Sequence, residues 1–426
     1  MGLAIFFVAV VSECAIVVCS GKSRLNLARK RLITRSVLLL AVILLMIFSS
    51  PSGSSLMYFG LLVLLGVLAA ASAIRVYDQR DTRGAHRARR LLPGLAGTLL
   101  LYCLTLMPFV LFPGYDIIEP SGPYTVATTT HFFADTERVD IYDPAGSNRQ
   151  LKTEFWFPAD GKGPFPLVLF SHGALGIRSS NVSLYTYLAS HGYVVGALDH
   201  TYQGLYSTDS SGRLLFVNRG YLKEVLTEDP RKDVLQSYYH YSKWMDIRMG
   251  DIDLVIDALV DATRPGTVDK LVGLVDPERI GVMGHSLGGS AALGVGRART
   301  DVKAVIALES PFMYDIIAVL DGHFVYRDEP YPLPLLNVYS DASWQILGDR
   351  PQYAANHALL TSANPDIHNL HISGAGHFDL TDLALSSPIL ARLLNGGPSE
   401  RSPRDTLTAI NEACLVFFDK YLKGRH

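Results

Sequence analysis

The apolar residues of this chain are concentrated before about residue 112, in four runs at roughly 2–20, 34–49, 56–74 and 91–112. Each is near the length of about 20 residues with which a helix covers the hydrocarbon of a bilayer. The pattern predicts an all-α transmembrane region of about four helices within residues 1–115, followed by a soluble domain. Lys22, Arg24, Arg29, Lys30 and Arg31 fill the first connection. No charge falls in the second, and Arg75, Arg80, Arg83, Arg87, Arg89 and Arg90 fill the third. Because cytoplasmic loops carry the excess of Lys and Arg, the expectation is a multi-pass protein of the cell membrane, with its N-terminus and everything after residue 112 on the extracytoplasmic side. The first run contains Glu13, lacks a positive charge before its apolar core, and offers only Val18 before Cys19 as a cleavage site. It reads as a retained helix rather than a signal peptide.

Composition removes several function classes. The 426 residues are 49% hydrophobic with a formal net charge of -2, so no basic stripe exists to neutralise nucleic-acid phosphates. Of four cysteines, Cys14, Cys19 and Cys103 lie in apolar runs and Cys414 alone in the soluble part. Neither a disulfide framework nor a metal-ligand spacing is present, and no metal or cofactor is expected.

From about residue 122 to 426 the pattern changes to short β-branched and aromatic runs alternating with helical segments, the grammar of βαβ units. Strands are predicted at Tyr124–Phe133, Arg138–Tyr142, Lys152–Phe157, Pro166–Phe170, Tyr193–Leu198, Arg279–Met283, Val302–Leu308, Leu335–Tyr339 and His368–Ile372. Helices are predicted at Leu184–Ser190, Asp246–Val260 and Ser290–Arg297. The stretch from His200 to Asp246 is long and rich in aromatic residues, and reads either as a substrate-facing flap or as packing on the core. Asn181-Val182-Ser183 has the form of a glycosylation acceptor.

Gly284-His285-Ser286-Leu287-Gly288 has the Gly-x-Ser-x-Gly form of a nucleophile elbow, with the apolar run Ile280–Met283 entering it and the small-residue segment Gly289–Leu293 leaving it. That context predicts an α/β-hydrolase fold, a mostly parallel sheet with helices on both faces, and Ser286 as nucleophile. A serine hydroxyl needs a base to take its proton and preorganised donors for the oxyanion it creates. Ser171-His172-Gly173-Ala174-Leu175-Gly176 closes an early buried strand, so the backbone N–H groups of Ala174 and Leu287 are the candidate oxyanion hole. Gly374-Ala375-Gly376-His377 follows the last predicted strand, and His377 is the candidate base. His371 reads as a structural histidine on the strand itself, and His172 and His285 as packing or hydrogen-bonding neighbours. Two strand ends offer the acid that orients the base, Glu309 and Asp341, and spacing alone leaves both open.

Those residues carry a resemblance. Pro-Leu-Val-Leu-Phe-Ser-His-Gly at 166–173, Leu-Ala-Ser-His-Gly at 188–192, Gly-His-Ser-Leu-Gly-Gly at 284–289, Ile-Ala-Leu-Glu at 306–309 and Gly-x-x-His at 374–377 resemble platelet-activating-factor acetylhydrolases of the plasma type, and more distantly cutinase-like and dienelactone-type hydrolases. The resemblance spans most of residues 150–426. It implies Glu309 as the acid, with glutamate in place of the family's usual aspartate, and a metal-independent serine carboxylic ester hydrolase acting on short-acyl or phospholipid-type esters. The rival readings are a peptidase or cutinase-like polyesterase on the same fold, since a fold does not fix its substrate, and an inactive membrane-tethered binding or sensory protein. The partners expected are an ester or lipid substrate and a membrane.

Overall fold

A computed structural model of the chain describes residues 2–19, 24–48, 54–78, 92–113, 117–260 and 269–425. The chain divides into two compact units, Met1–Gly114 and Tyr115–His426.

The first unit holds helices α1 (Gly2–Cys19), α2 (Arg24–Phe48), α3 (Ser54–Tyr77) and α4 (Leu92–Leu111). Among the described residues two segments, Tyr58–Tyr77 and Pro93–Leu111, are long and apolar enough to cross a membrane, and Ala4–Val18 is a shorter apolar helix. Helix α2 starts at Arg24, well before the expected 34, so Arg29, Lys30 and Arg31 lie on a helix and not in a connection. The cause is Glu13. Its buried carboxylate receives Arg35 Nε at 2.5 Å and Arg31 Nε at 3.1 Å, and Arg35 Nη1 continues to Ser72 Oγ at 2.8 Å. A charge inside a helix bundle must be paired, and the pairing requires α2 to be helical as far back as Arg31. The connecting charges Lys22, Arg80, Arg83, Arg87, Arg89 and Arg90 lie outside the described residues.

The second unit is built on strands β1 (Val126–Val139), β2 (Asn148–Pro158), β3 (Phe165–Ser171), β4 (Val194–Asp199), β5 (Tyr206–Thr208), β6 (Leu214–Phe216), β7 (Val275–His285), β8 (Val302–Leu308), β9 (Ile316–Leu320), β10 (His323–Tyr326), β11 (Leu335–Ser340) and β12 (Ile367–Ile372). Eight form one sheet in the order β1-β2-β4-β3-β7-β8-β11-β12, and β5-β6 and β9-β10 are small hairpins. The first two pairings are antiparallel and every pairing from β4 to β12 is parallel. The strand order reverses at β3, with β4 on one side and β7 on the other. In open α/β sheets such a reversal marks the place, beyond the carboxyl ends of the strands, where ligands bind.

Helices α5 (Val182–Ser190), α6 (Arg219–Thr227), α7 (Val234–Val260), α8 (Asp269–Val272) and α9 (Leu287–Ala298) follow in order. Helices α7 and α9 bury Trp244, Ile252, Val255, Ala291 and Val295 against one face of the sheet. On the other face, α5 and a C-terminal helix, Pro403–Lys423, bury Leu184, Leu188, Ile410 and Phe418. That last helix was not among the sequence expectations, although Ser402 caps it, Pro403 opens it, and Gly424 ends it in the left-handed conformation.

Three expectations change in detail. The strand anticipated at 124–133 is β1, which runs on to Val139 with an irregularity between Ala134 and Val139, and the separate strand anticipated at 138–142 does not form, since residues 140–142 leave the sheet in a turn. There Asp135 accepts from the N–H groups of Glu137 and Arg138 and satisfies the groups that the ladder loses. Helix α7 starts at Val234 rather than 246, which takes Tyr238, Tyr239, Tyr241 and Trp244 out of the anticipated loop; Tyr241 and Trp244 are buried in the core while Tyr239 and Tyr206 are exposed.

Helix α9 crosses the ends of β3 and β7 at backbone distance. A Cβ on Gly288 would overlap the carbonyl groups of Ser171 and His172, and one on Gly284 would overlap the backbone at Gly288. Gly288→Ala is therefore expected to cost about 3 kcal/mol or more, read as a lower melting temperature. Gly397→Ala, whose Cβ meets nothing within 4 Å, should leave the melting temperature within about 2 °C of the parent. A tolerated Gly288→Ala would contradict the crossing.

Candidate active site

Strand β7 ends at His285, α9 begins at Leu287, and Ser286 between them has φ 54° and ψ -124°. A non-glycine residue held there stores strain of about 1–3 kcal/mol. The strain is held by the Ser286 N–H bond to Leu308 O at 2.8 Å and by the glycines flanking the crossing. The serine side chain is left half-buried at the carboxyl end of β7.

The other residues singled out in the sequence gather at the same ends of the parallel strands. Gly173 faces the elbow closely enough that a Cβ on it would lie 3.4 Å from Ser286 Cβ and 3.0 Å from His285 Nδ1. Among the described residues, neither the Ala174 N–H nor the Leu287 N–H has a hydrogen-bond partner. His377 stands in the turn after β12. Its ring centroid is 4.6 Å from that of His285, whose Nε2 donates to His377 O at 3.1 Å. Burial pushes His285 well below its ordinary pKa, so the ring is neutral and a single proton serves that bond.

Glu309 follows β8 with φ 59° and is 1% exposed. Its Oε1 lies 3.9 Å from His377 Nδ1. That separation exceeds a hydrogen bond, as is common for catalytic pairs without a bound substrate. Burial alone would push the Glu309 carboxyl up. The His377 imidazole, together with the N–H and Oγ of Ser340 at 2.5 and 2.6 Å, outweighs it and holds the carboxyl below its ordinary range. Asp341, the alternative acid, is occupied elsewhere: it accepts from His371 Nε2 at 2.7 Å and from Gly374 N at 2.9 Å, and its own N–H donates to Ala375 O. His371 in turn stacks on Trp344, with centroids 4.5 Å apart and planes 7° from parallel. The structure thus brings His377 together with Glu309, and Asp341 together with His371 beneath the turn that carries His377.

A second polar constellation escaped the sequence reading. Ser171 Oγ bonds His200 Nε2 at 2.7 Å, and His200 Nδ1 bonds Asp251 Oδ2 at 2.8 Å. Arg149 adds two bonds to Asp251 at 3.0 and 2.6 Å. These are the residue types of a catalytic triad, but all are buried. Burial and the nearby Arg248 charge push His200 down to about 4, so the ring is neutral, while Arg149 and His200 hold the Asp251 carboxyl well below its ordinary range against its own burial. The only trace in the sequence is polar residues on the core-facing stripe of α7, which reads as a helix face and not as a network.

The turn after His377 is fixed by Asn181, whose Nδ2 donates to Leu380 O at 2.7 Å, and by Asp382, which accepts from Ser183 N and Oγ. Asn181 is completely buried, so the glycosylation-acceptor form of its sequence has no accessible amide in the folded chain.

The fold is that of an α/β-hydrolase. A ferulic acid esterase from Streptomyces cinnamoneus superposes with a TM-score of 0.55 at 23% identity, over 73% of this chain and 94% of that one. The sequence model of a family described as platelet-activating factor acetylhydrolase, isoform II, matches residues 126–210 and 244–426, and the chain belongs to that family. Platelet-activating factor acetylhydrolases of Cavia porcellus and Bos taurus are each 24% identical over 294 residues, covering 66% of this chain and 61% and 60% of theirs. This chain therefore spans about three fifths of the length of those relatives. The stretch between the matched segments contains the end of the β5-β6 hairpin, α6 and the first turns of α7, where this chain departs from the family pattern.

Burial raises the Asp382 carboxyl to about 6. A folded pKa above the unfolded value means that the folded chain binds more protons between about pH 4 and 6, so this carboxyl lowers stability as pH rises through that window, by about 2–3 kcal/mol in all. Melting followed by tryptophan fluorescence should show Asp382→Asn gaining on the parent from pH 4 to 7. A difference independent of pH would contradict the assignment.

Proposed function

We propose that the chain is a membrane-anchored serine carboxylic ester hydrolase that acts on short-acyl or phospholipid-type esters through Ser286, His377 and Glu309. The observation that carries the reading is the strained Ser286 elbow with the His377–Glu309 pair 3.9 Å apart, His377 packed on the neighbouring His285, and two N–H groups, Ala174 and Leu287, that have no hydrogen-bond partner among the described residues. His377 takes the Ser286 proton as Oγ adds to the ester carbonyl. The tetrahedral oxyanion accepts from the Ala174 and Leu287 N–H groups, and the alcohol leaves with the proton from His377. Water, deprotonated by the same imidazole, then attacks the acyl-enzyme and releases the acid. Glu309 keeps the His377 Nδ1 proton in place and stabilises the imidazolium formed at each step. Asp341 supports the turn that carries the base.

Family membership supports the lipid-ester substrate class. The apolar segments Tyr58–Tyr77 and Pro93–Leu111 support the anchor. The four apolar runs of the sequence support a four-helix membrane region, and the cluster of Arg from Arg75 to Arg90 between the third and fourth runs supports an extracytoplasmic catalytic domain.

Hydrolysis of p-nitrophenyl esters from acetyl to dodecanoyl by the detergent-solubilised chain tests the reading. Turnover is expected to peak at short acyl chains and to vanish in Ser286→Ala; folded protein no faster than that variant would contradict it. Glu309→Gln should lower kcat about 100-fold or more, and Asp341→Asn less than about tenfold. The reverse order would transfer the acid's role to Asp341.

A further inference from the structure

Arg248, on α7, has no exposed surface, yet among the described residues no carboxylate pairs with it. Asp251, one turn along the helix, is engaged by Arg149, Arg138 and His200. The Arg248 guanidinium turns instead to neutral oxygens: Nε donates to Gln203 Oε1 at 2.8 Å, Nη1 to His172 O, and Nη2 reaches Gly173 O at 3.4 Å. Gly173 O also receives His172 Nδ1 at 2.7 Å and Gly176 N at 3.0 Å. A buried cation spent on backbone carbonyls is costly, and the carbonyls it takes are those that precede the unbonded Ala174 N–H.

The C=O and N–H of one peptide unit point in opposite directions. Arg248 Nη2, with His172 Nδ1 and Gly176 N, holds Gly173 O on the side of the buried network, and the Ala174 N–H of the same peptide is thereby turned away from that network. The charge also acts through the bond. A cation on the carbonyl end of a peptide polarises it and strengthens the N–H as a donor. Gln203 extends the support, since its carbonyl accepts from Leu175 N at 3.2 Å while its side chain meets Arg248.

We infer that Arg248 is a positioning residue for ester hydrolysis, aiming and polarising the Ala174 N–H toward the oxyanion; the inference rests on the esterase reading of Ser286. It does not touch the substrate, and its role is exerted through the 173–174 peptide.

The test uses the detergent-solubilised full chain with p-nitrophenyl acetate, rates being divided by the number of Ser286 sites titrated to completion with a fluorophosphonate. Ser286→Ala sets the background, and a parent no faster than it removes the esterase reading and this inference with it. Given turnover by the parent, Arg248→Met is expected to lower kcat about 30- to 100-fold, with KM within about threefold, because the loss falls on a donor used in the transition state. Arg248→Lys, which keeps a charge without the fork, should recover part of that loss. An arginine with a structural role alone would lower the melting temperature and the number of titratable sites in both variants while leaving kcat per site within about threefold of the parent, and that result overturns the inference. If Arg248→Met does not fold, Arg248→Lys decides: a kcat reduced about fivefold or more at unchanged KM supports it, and a parental kcat overturns it.

Discussion

The chemistry of the second unit hangs on one backbone crossing. Helix α9 runs so close over the ends of β3 and β7 that positions 284 and 288 have no room for a Cβ. The turn from strand to helix can then be completed only by a residue forced to positive φ, and that residue is Ser286. The same crossing leaves the Leu287 N–H at the start of a helix, where no intrahelical partner exists. It also presses the elbow onto Gly173, so that the strained serine and the unbonded Leu287 N–H are consequences of a single close approach. The strain is small beside the apolar surface that α9 buries through Ala291, Ala292, Leu293 and Val295, which is why the fold can hold it.

Two buried polar systems flank that crossing and are set by opposite balances of burial and partnership. At Glu309, burial favours the neutral acid, but Ser340 and His377 supply enough donors to keep the carboxylate. At His200 and His172, burial and the Arg248 charge act together and keep both rings neutral. The outcome is a carboxylate beside His377 on one side and a fixed array of neutral rings and carbonyls behind the 172–174 peptides on the other. Asp341 and His371 form a third pair, partly exposed, under the turn from Ile372 to His377. Each element of the site is therefore held from behind by groups of its own.

What the sequence made legible was local. The elbow, the Ser-His-Gly strand end and the parallel strands each occupy a few consecutive residues, and their glycine, small-residue and β-branched patterns express backbone demands directly. The choice between Glu309 and Asp341 was not local, because both close neighbouring parallel strands in the same way. They differ only through the path of the turn that places His371 over Asp341 and His377 near Glu309. The helical placement of Arg31 is matched to Glu13 in another helix, and the continuity of β1 rests on a side chain, Asp135, standing in for lost ladder bonds. Arg248, Asp251 and His200 were illegible for the same reason: their partners lie tens of residues away, and a polar residue on a helix stripe carries no sign of what it meets.

The presence of two Ser-His-acid constellations gives the central claim a direct test. In the proposed set, Ser286 and His377 are partly exposed, whereas Ser171, His200 and Asp251 are all buried. Reaction of the folded chain with a fluorophosphonate, followed by peptide mapping in a mass spectrometer, distinguishes them. A single adduct on the peptide containing Ser286 is the predicted result; an adduct on Ser171, or none on a protein shown to be folded, would contradict the account.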